Sequence, residues 1–151
     1  MKLSNKARYA VRAMFDIAYH GRGEATQVKA IAERQAVPHR FLEQIFQDLK
    51  RAALVTSKRG PRGGYALMRS PETIRIGDIL RATGGPVAFQ SPDAAALAGD
   101  SASRAVTEGV FSDLAKAVED VFDGMTLQEL CERGEEQGLR RGVQRRYVYS
   151  I

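Results

Sequence analysis

The chain has 151 residues, enough for one compact domain with a real core and short for two independent ones. Its composition, 44% hydrophobic, 27% charged and 7% aromatic, is that of a helix-rich globular protein and not of a disordered or fibrous one. A single cysteine, Cys131, excludes an intrachain disulfide framework and a cysteine-ligated zinc finger and fits a reducing cytoplasm. No apolar run approaches the roughly 20 residues of a membrane helix, and Lys6, Arg8, Arg12 and Asp16 interrupt any signal-peptide core at the N-terminus. The formal charge of +5 is unevenly spread: residues 1–70 carry 14 Lys/Arg against 5 Asp/Glu, and residues 71–151 carry 9 against 13. That asymmetry suits a polyanion-binding module joined to an acidic assembly module, although a solvated basic face would carry the same charge.

In chain order, Ser4 is a candidate N-cap for a first helix whose Ala7, Ala10, Val11, Met14, Phe15 and Ala18 share one face, with Gly21 and Gly23 as its stop. His20 is expected at its end, where a cation suits the helix dipole. Val28, Ile31 and Ala32 suggest a short second helix that starts at Thr26 or Gln27. In a third helix Pro38 suits the first turn, and Phe41, Leu42, Ile45, Phe46 and Leu49 are expected to form one buried stripe. Two helices joined by so short a turn fit helix-turn-helix geometry. The runs VTSK and YALM flank RGPRGG, a basic hairpin that is the wing of a winged helix. Ile76, Ile79 and Leu80 suggest a further short helix ending at Gly84, and residues 86–104 have a loop's composition. From Ala105 a long helix follows, with Val106, Val110, Leu114, Val118 and Val121 on one face as candidate dimerisation residues. Thr126 to Glu129 form a capping box that opens a short last helix containing Leu130 and Cys131, with the tail starting beyond Gly134.

The expected fold is therefore mainly α with a small β-hairpin, a winged helix-turn-helix plus a long C-terminal dimerisation helix. The expected division is a DNA-binding unit at 1–83, a linker at 84–104, the dimerisation helix and the short helix after it at 105–132, and a tail at 133–151. Off the apolar stripe of the third helix, His39, Arg40, Glu43 and Gln44 can hydrogen-bond base edges: arginine suits guanine, glutamine adenine and a carboxylate the cytosine amino group. Lys58, Arg59, Gly60, Pro61, Arg62, Gly63 and Gly64 form a charged loop able to approach a phosphate or enter a minor groove. Lys2, Lys6, Lys50 and Arg51 are further candidate phosphate contacts or ordinary surface charges. An enzyme is not expected, because His20 and His39 have no nucleophile or carboxylate partner at informative spacing and no phosphate-loop or metal-ligand motif is present. A winged helix used for protein contact alone is one alternative, and a redox-sensing regulator built on Cys131 is another. The simplest role for that cysteine is as a small packed residue.

The segments MKLSNKARYAVRAMFDIA, FLEQIFQDLKRAALVTSKRGPRGGYAL and IRIGDILRATGG together resemble the IscR-like (Rrf-two) family of bacterial regulators, through the opening RYA, the LEQ and the RGxxGGY wing. The resemblance is strong over residues 1–85 and loose over Ala105–Leu130. It implies a cytoplasmic homodimer on double-stranded DNA, in which the long helix crosses its partner's equivalent and the wing and the helix at 38–52 bind the duplex. Cluster-containing members carry three cysteines between the winged helix and the dimer helix. Here PVAFQSPDAAALAGDSASRA holds no cysteine or histidine, so neither an iron–sulfur cluster nor another cofactor is expected. The chain then resembles the cluster-less branch with the cysteine-metabolism repressor, which implies repression, control of sulfur and cysteine metabolism, and cysteine synthase as a partner. The ending Tyr147–Ile151 is similar to peptides that enzyme captures, with Tyr149 and Ile151 the candidate contacts, although an aromatic tail can also fold back on its own dimer.

Overall fold

The computed structural model describes residues 3–84 and 100–142. Helix α1 spans Asn5–Gly21, and the Ser4 hydroxyl accepts a hydrogen bond from the Ala7 N–H at 3.1 Å, the expected cap. Gly21, expected as the stop, lies inside the helix, where a Cβ would crowd the Thr26 hydroxyl at 2.9 Å. The reversal falls instead on Arg22, with φ +49°. Helix α2, Val28–Gln35, has Gln27 at its N-cap without a side-chain bond and ends on a left-handed Ala36. Helix α3 is His39–Arg51; Pro38 stands one residue before the first turn, as N-cap with ψ 133°. Leu42, Ile45, Phe46 and Leu49 bury their side chains, but Phe41 departs from the expected stripe and is 50% exposed. It lies about 100° around the helix from Leu42, far enough to clear the core.

Strands β1 (Val55–Lys58) and β2 (Gly64–Leu67) pair antiparallel, from Val55 opposite Leu67 to Lys58 opposite Gly64. Helix α4 is Ile76–Gly84. Helix α5 runs Ser101–Gly124, starting four residues before Ala105, because the Asp100 carboxylate caps the Ala102 N–H at 3.0 Å and the small polar residues that read as linker wind into the first turn. Helix α6, Leu127–Glu136, opens with the expected capping box between Thr126 and Glu129. It also passes through Gly134, expected as its stop. That glycine is a close-packing residue, since a Cβ would sit 3.2 Å from Tyr19 and 3.3 Å from Phe15 on α1.

The core gathers around α1, which packs on α2, α3, α4, α6 and β2. Its small Ala7, Ala10 and Ala13, all buried, admit Met14, Ile17, Leu42, Ile45, Ile79 and Leu127 between the helices. The far end of α5 is tied back by paired backbone bonds, Ile76 N–H to Met125 O and Leu127 N–H to Ile74 O, each 2.9 Å. Arg81 reinforces the joint with two hydrogen bonds to Asp123. Among the described residues no helix is long and apolar enough to cross a membrane.

The one fully buried carboxylate among the described residues, Asp16, fixes the helix-turn-helix from behind. Arg34 of α2 donates to both its oxygens at 3.0 and 2.7 Å, and the Gln35 amide donates at 2.9 Å. Loss of Arg34 would leave the buried carboxylate with the Gln35 amide alone, at a cost of about 1.5–3 kcal/mol for a hydrogen bond to a charged group. One turn on, His20 is buried and not the expected cationic helix end: its Nδ1 accepts the Gly142 N–H at 2.6 Å. Burial lowers its pKa from 6.5, helped by Arg34 and Arg141 and opposed by Asp16. The neutral imidazole therefore stabilises the fold fully above pH 6.5, and its contribution is lost as pH falls through the lowered folded value. His20→Asn should lower stability by about 1 kcal/mol at pH 7.5, and the gap from wild type should close on acidification in thermal melts; a gap constant with pH would contradict this role.

Candidate nucleic-acid interface

The wing is not a free hairpin. Thr26, in the loop before α2, exchanges two backbone hydrogen bonds with Tyr65 of β2, at 2.8 and 2.9 Å, so β2 pairs on both edges. The Tyr65 ring stacks on Phe46 of α3 with centroids 4.2 Å apart and planes 9° from parallel. Lys50 of α3 donates to Ser57 of β1 at 2.9 Å, and Gln27 donates to the Pro61 carbonyl at 3.0 Å. Glycine serves this junction directly. Gly64 has φ +148° and a Cβ there would collide with the Thr26 carbonyl, while a Cβ on Gly63 would strike the Lys58 carbonyl. Gly60, φ +106°, faces open space at the tip.

On this frame His39, Arg40, Glu43 and Gln44 are all exposed along the first turns of α3. His39 Nδ1 lies 3.4 Å from a Glu43 carboxylate oxygen, so these two side chains are neighbours. Lys58, Arg59, Pro61 and Arg62 are exposed in the wing. The basic residues divide into two sets. Lys6 pairs with Asp48 at 2.5 Å and ties α1 to α3, Lys50 donates to Ser57 and ties α3 to the wing, and Arg51 lies 3.4 Å from the Asp48 carboxylate within α3 itself. Arg40, Lys58, Arg59 and Arg62 form no ion pair with any described residue. Lys2, Tyr149 and Ile151 lie outside the described residues.

The other exposed surface is α5, on which no residue is fully buried. Val106 (71% exposed), Val110, Leu114 and Val121 display apolar side chains to solvent, whereas Val118 is partly covered. Phe111 joins this face and was not among the expected residues. Its spacing of three from Leu114 is the signal that could have found it. An exposed apolar patch of this kind suits contact with a protein, a membrane or a ligand.

Cys131 is buried on α6, where burial pushes its thiol up to about 11 against a partial pull from Arg141. It stays protonated at neutral pH, and only the thiolate reacts or ligates. Among the described residues no group of three or more His, Cys, Asp or Glu side chains is arranged to hold a metal ion. A thiolate-held cluster does not fit this chain, whose only cysteine is this packed one.

The chain matches the Rrf2 family, described as iron-dependent transcriptional regulators, over residues 3–133. It is 37% identical over 141 residues to the HTH-type transcriptional regulator IscR of Aliivibrio salmonicida, a match that covers 91% of this chain and 81% of that relative. Of solved structures, T. potens IscR is similar with a TM-score of 0.73 at 37% identity over 94% of each chain. CymR, the global cysteine regulator of B. subtilis, has a TM-score of 0.73 at 34% identity over 88% of this chain and 98% of its own. These relatives are transcription regulators, a non-enzymatic group. A helix-turn-helix with a stacked basic hairpin and a long helix thus has the sequence and shape of one family, and the chain belongs to the Rrf2 family of winged-helix, DNA-binding transcription regulators.

Proposed function

We propose that this chain represses transcription in the cytoplasm as a homodimer that holds no iron–sulfur cluster. In this reading residues 1–83 form the DNA-binding unit, and the dimer is made by the exposed face of α5. Arg40, Glu43, Gln44 and His39 read base edges in the major groove. Lys58, Arg59 and Arg62, carried on Gly60, Pro61, Gly63 and Gly64, contact phosphates or the adjacent minor groove. The observation that carries this is the pairing of uncommitted cations with a rigid support: Arg59 and Arg62 extend from a hairpin stacked on the helix that bears Arg40. A basic loop held at fixed distance from a polar helix face matches a duplex better than it matches a protein partner.

The absence of a cluster rests on the donor set. Three thiolates cannot come from one cysteine, and a thiol held near 11 is a poor sensor; iron dependence in the family description therefore does not extend to a cluster ligated by this chain. Control of sulfur and cysteine metabolism is supported by the likeness to CymR, the global cysteine regulator. Cysteine synthase is the matching proposed partner, met by Tyr149 and Ile151.

Replacing Arg59 and Arg62 together with alanine should weaken every DNA sequence alike and flatten the log-affinity against log-salt slope by about two per subunit, at about 0.9 for each phosphate no longer neutralised. Alanine at Arg40, Glu43 or Gln44 should instead change the ranking of sequences, by about 1–3 kcal/mol at the position read. Fluorescence-anisotropy titrations separate the two patterns; an unaltered ranking after all three replacements would remove the base-reading assignment. Sedimentation of a Val110→Asp, Leu114→Asp double variant should give monomers, and a persisting dimer would move the interface off α5. Cysteine synthase should be recovered with the full chain and not when Ile151 is deleted; equal recovery would end the partner proposal.

A further inference from the structure

Phe41 is the anomaly of α3. Its four apolar companions are buried, whereas this phenylalanine leaves half its surface in solvent in the helix's first turn, beside the exposed Arg40 and Gln44. It is not loose. Tyr9 of α1 meets the ring edge-on at 6.2 Å between centroids, and the Arg12 guanidinium stands over Tyr9 at 5.7 Å while donating to the carbonyl of Gln35 at the end of α2. A chain of contacts from both other helices of the motif therefore braces an apolar ring at the surface.

A rigid apolar surface among hydrogen-bonding side chains calls for an apolar target. In the major groove the base edges offer one such group, the C5-methyl of thymine; every other feature is a donor or an acceptor. The first turns of a recognition helix are the part that reaches base edges. Resting on the DNA-reading role of α3 proposed above, we infer that Phe41 is a specificity-determining residue that packs on a thymine methyl in each half-site. Tyr9 is its positioning residue. The site then selects thymine by apolar contact at one position, next to the bases selected by hydrogen bonds from Arg40 and Gln44. A protein partner covering Phe41 would make the same residue silent toward DNA, which makes the two readings separable.

The test uses a sequence selected from a random duplex library by the full-length protein, with each thymine replaced in turn by uracil, which removes only the methyl. Wild type should bind about fourfold more weakly at one position of a half-site, the value of one buried methyl-sized group. Phe41→Ala, which removes the contact from both half-sites of the proposed dimer, should bind the unmodified duplex about sixteenfold more weakly and be indifferent to uracil at that position, yet keep the wild-type ranking at the positions read by hydrogen bonds, which verifies that it is folded and docked. Tyr9→Ala should reduce the uracil penalty without abolishing binding. The inference is overturned if wild type is insensitive to uracil throughout, or if Phe41→Ala keeps the full penalty. If no sequence is selected and binding does not depend on salt, the DNA-reading role of α3 fails, and this inference with it; selection without Phe41–methyl coupling defeats this inference alone.

Discussion

Tyr65 holds together the two halves of the interface. Its backbone closes a two-way bridge with Thr26, and its ring lies flat on Phe46, whose other contacts are in the core. A hairpin with four residues in each strand is marginal alone in water. Here it gains a third, short pairing partner and an apolar support, so its direction relative to α3 is set by packing. The absence of a side chain at residue 64 is what lets the two backbones meet. The RGxxGGY pattern thus serves the fold: the tyrosine and its preceding glycines dock the wing, and the arginines remain exposed at the tip.

The same economy governs charge. Lysines and arginines near α3 are indistinguishable by composition, yet Lys6, Lys50 and Arg51 are tied to Asp48 and Ser57, while Arg40, Arg59 and Arg62 are left unpaired with the described residues. An ion pair in this setting contributes modestly to stability. The larger effect is geometric: the Lys6–Asp48 pair fixes α3 against α1, and the Lys50–Ser57 hydrogen bond fixes it against the wing. Asp16 does the equivalent from inside, clasping the end of α2 through Arg34 and Gln35. The interface is accordingly rigid on three sides before any ligand arrives, which lowers the ordering cost of binding.

Much of this was legible in the sequence. Helical spacing marked α1 and α3, the Gly-Pro-Gly-Gly loop marked the wing, and Thr126 with Glu129 marked the start of α6. What escaped had physical reasons. Spacing alone could not tell that Phe41 clears the core, because residues at i and i+1 differ by about 100° and only the packing of neighbouring helices decides which is covered. His20 read as a helix-end cation until residue 142, far off in sequence, supplied the N–H that its ring accepts. Gly134 looked like a terminator, since the ring contacts of Phe15 and Tyr19 that demand it come from α1. Asp100 was hidden in a stretch of small polar residues, where one capping bond extends α5. Each miss is a long-range contact, or a cap, overriding a local pattern.

Helix α5 projects its valines, leucine and phenylalanine away from this rigid body, and a second copy placed there would repeat the helix and wing at a fixed spacing on one duplex. In the proposed function α3 and the wing tip engage the same duplex in neighbouring grooves. Photo-crosslinking from a benzophenone side chain installed at Gln44 or at Arg62 tests it most directly. Crosslinks to major-groove bases are expected from residue 44, and to the backbone or minor groove about half a helical turn away from residue 62. DNA crosslinks from one position and none from the other, or from neither while DNA is bound, would contradict it.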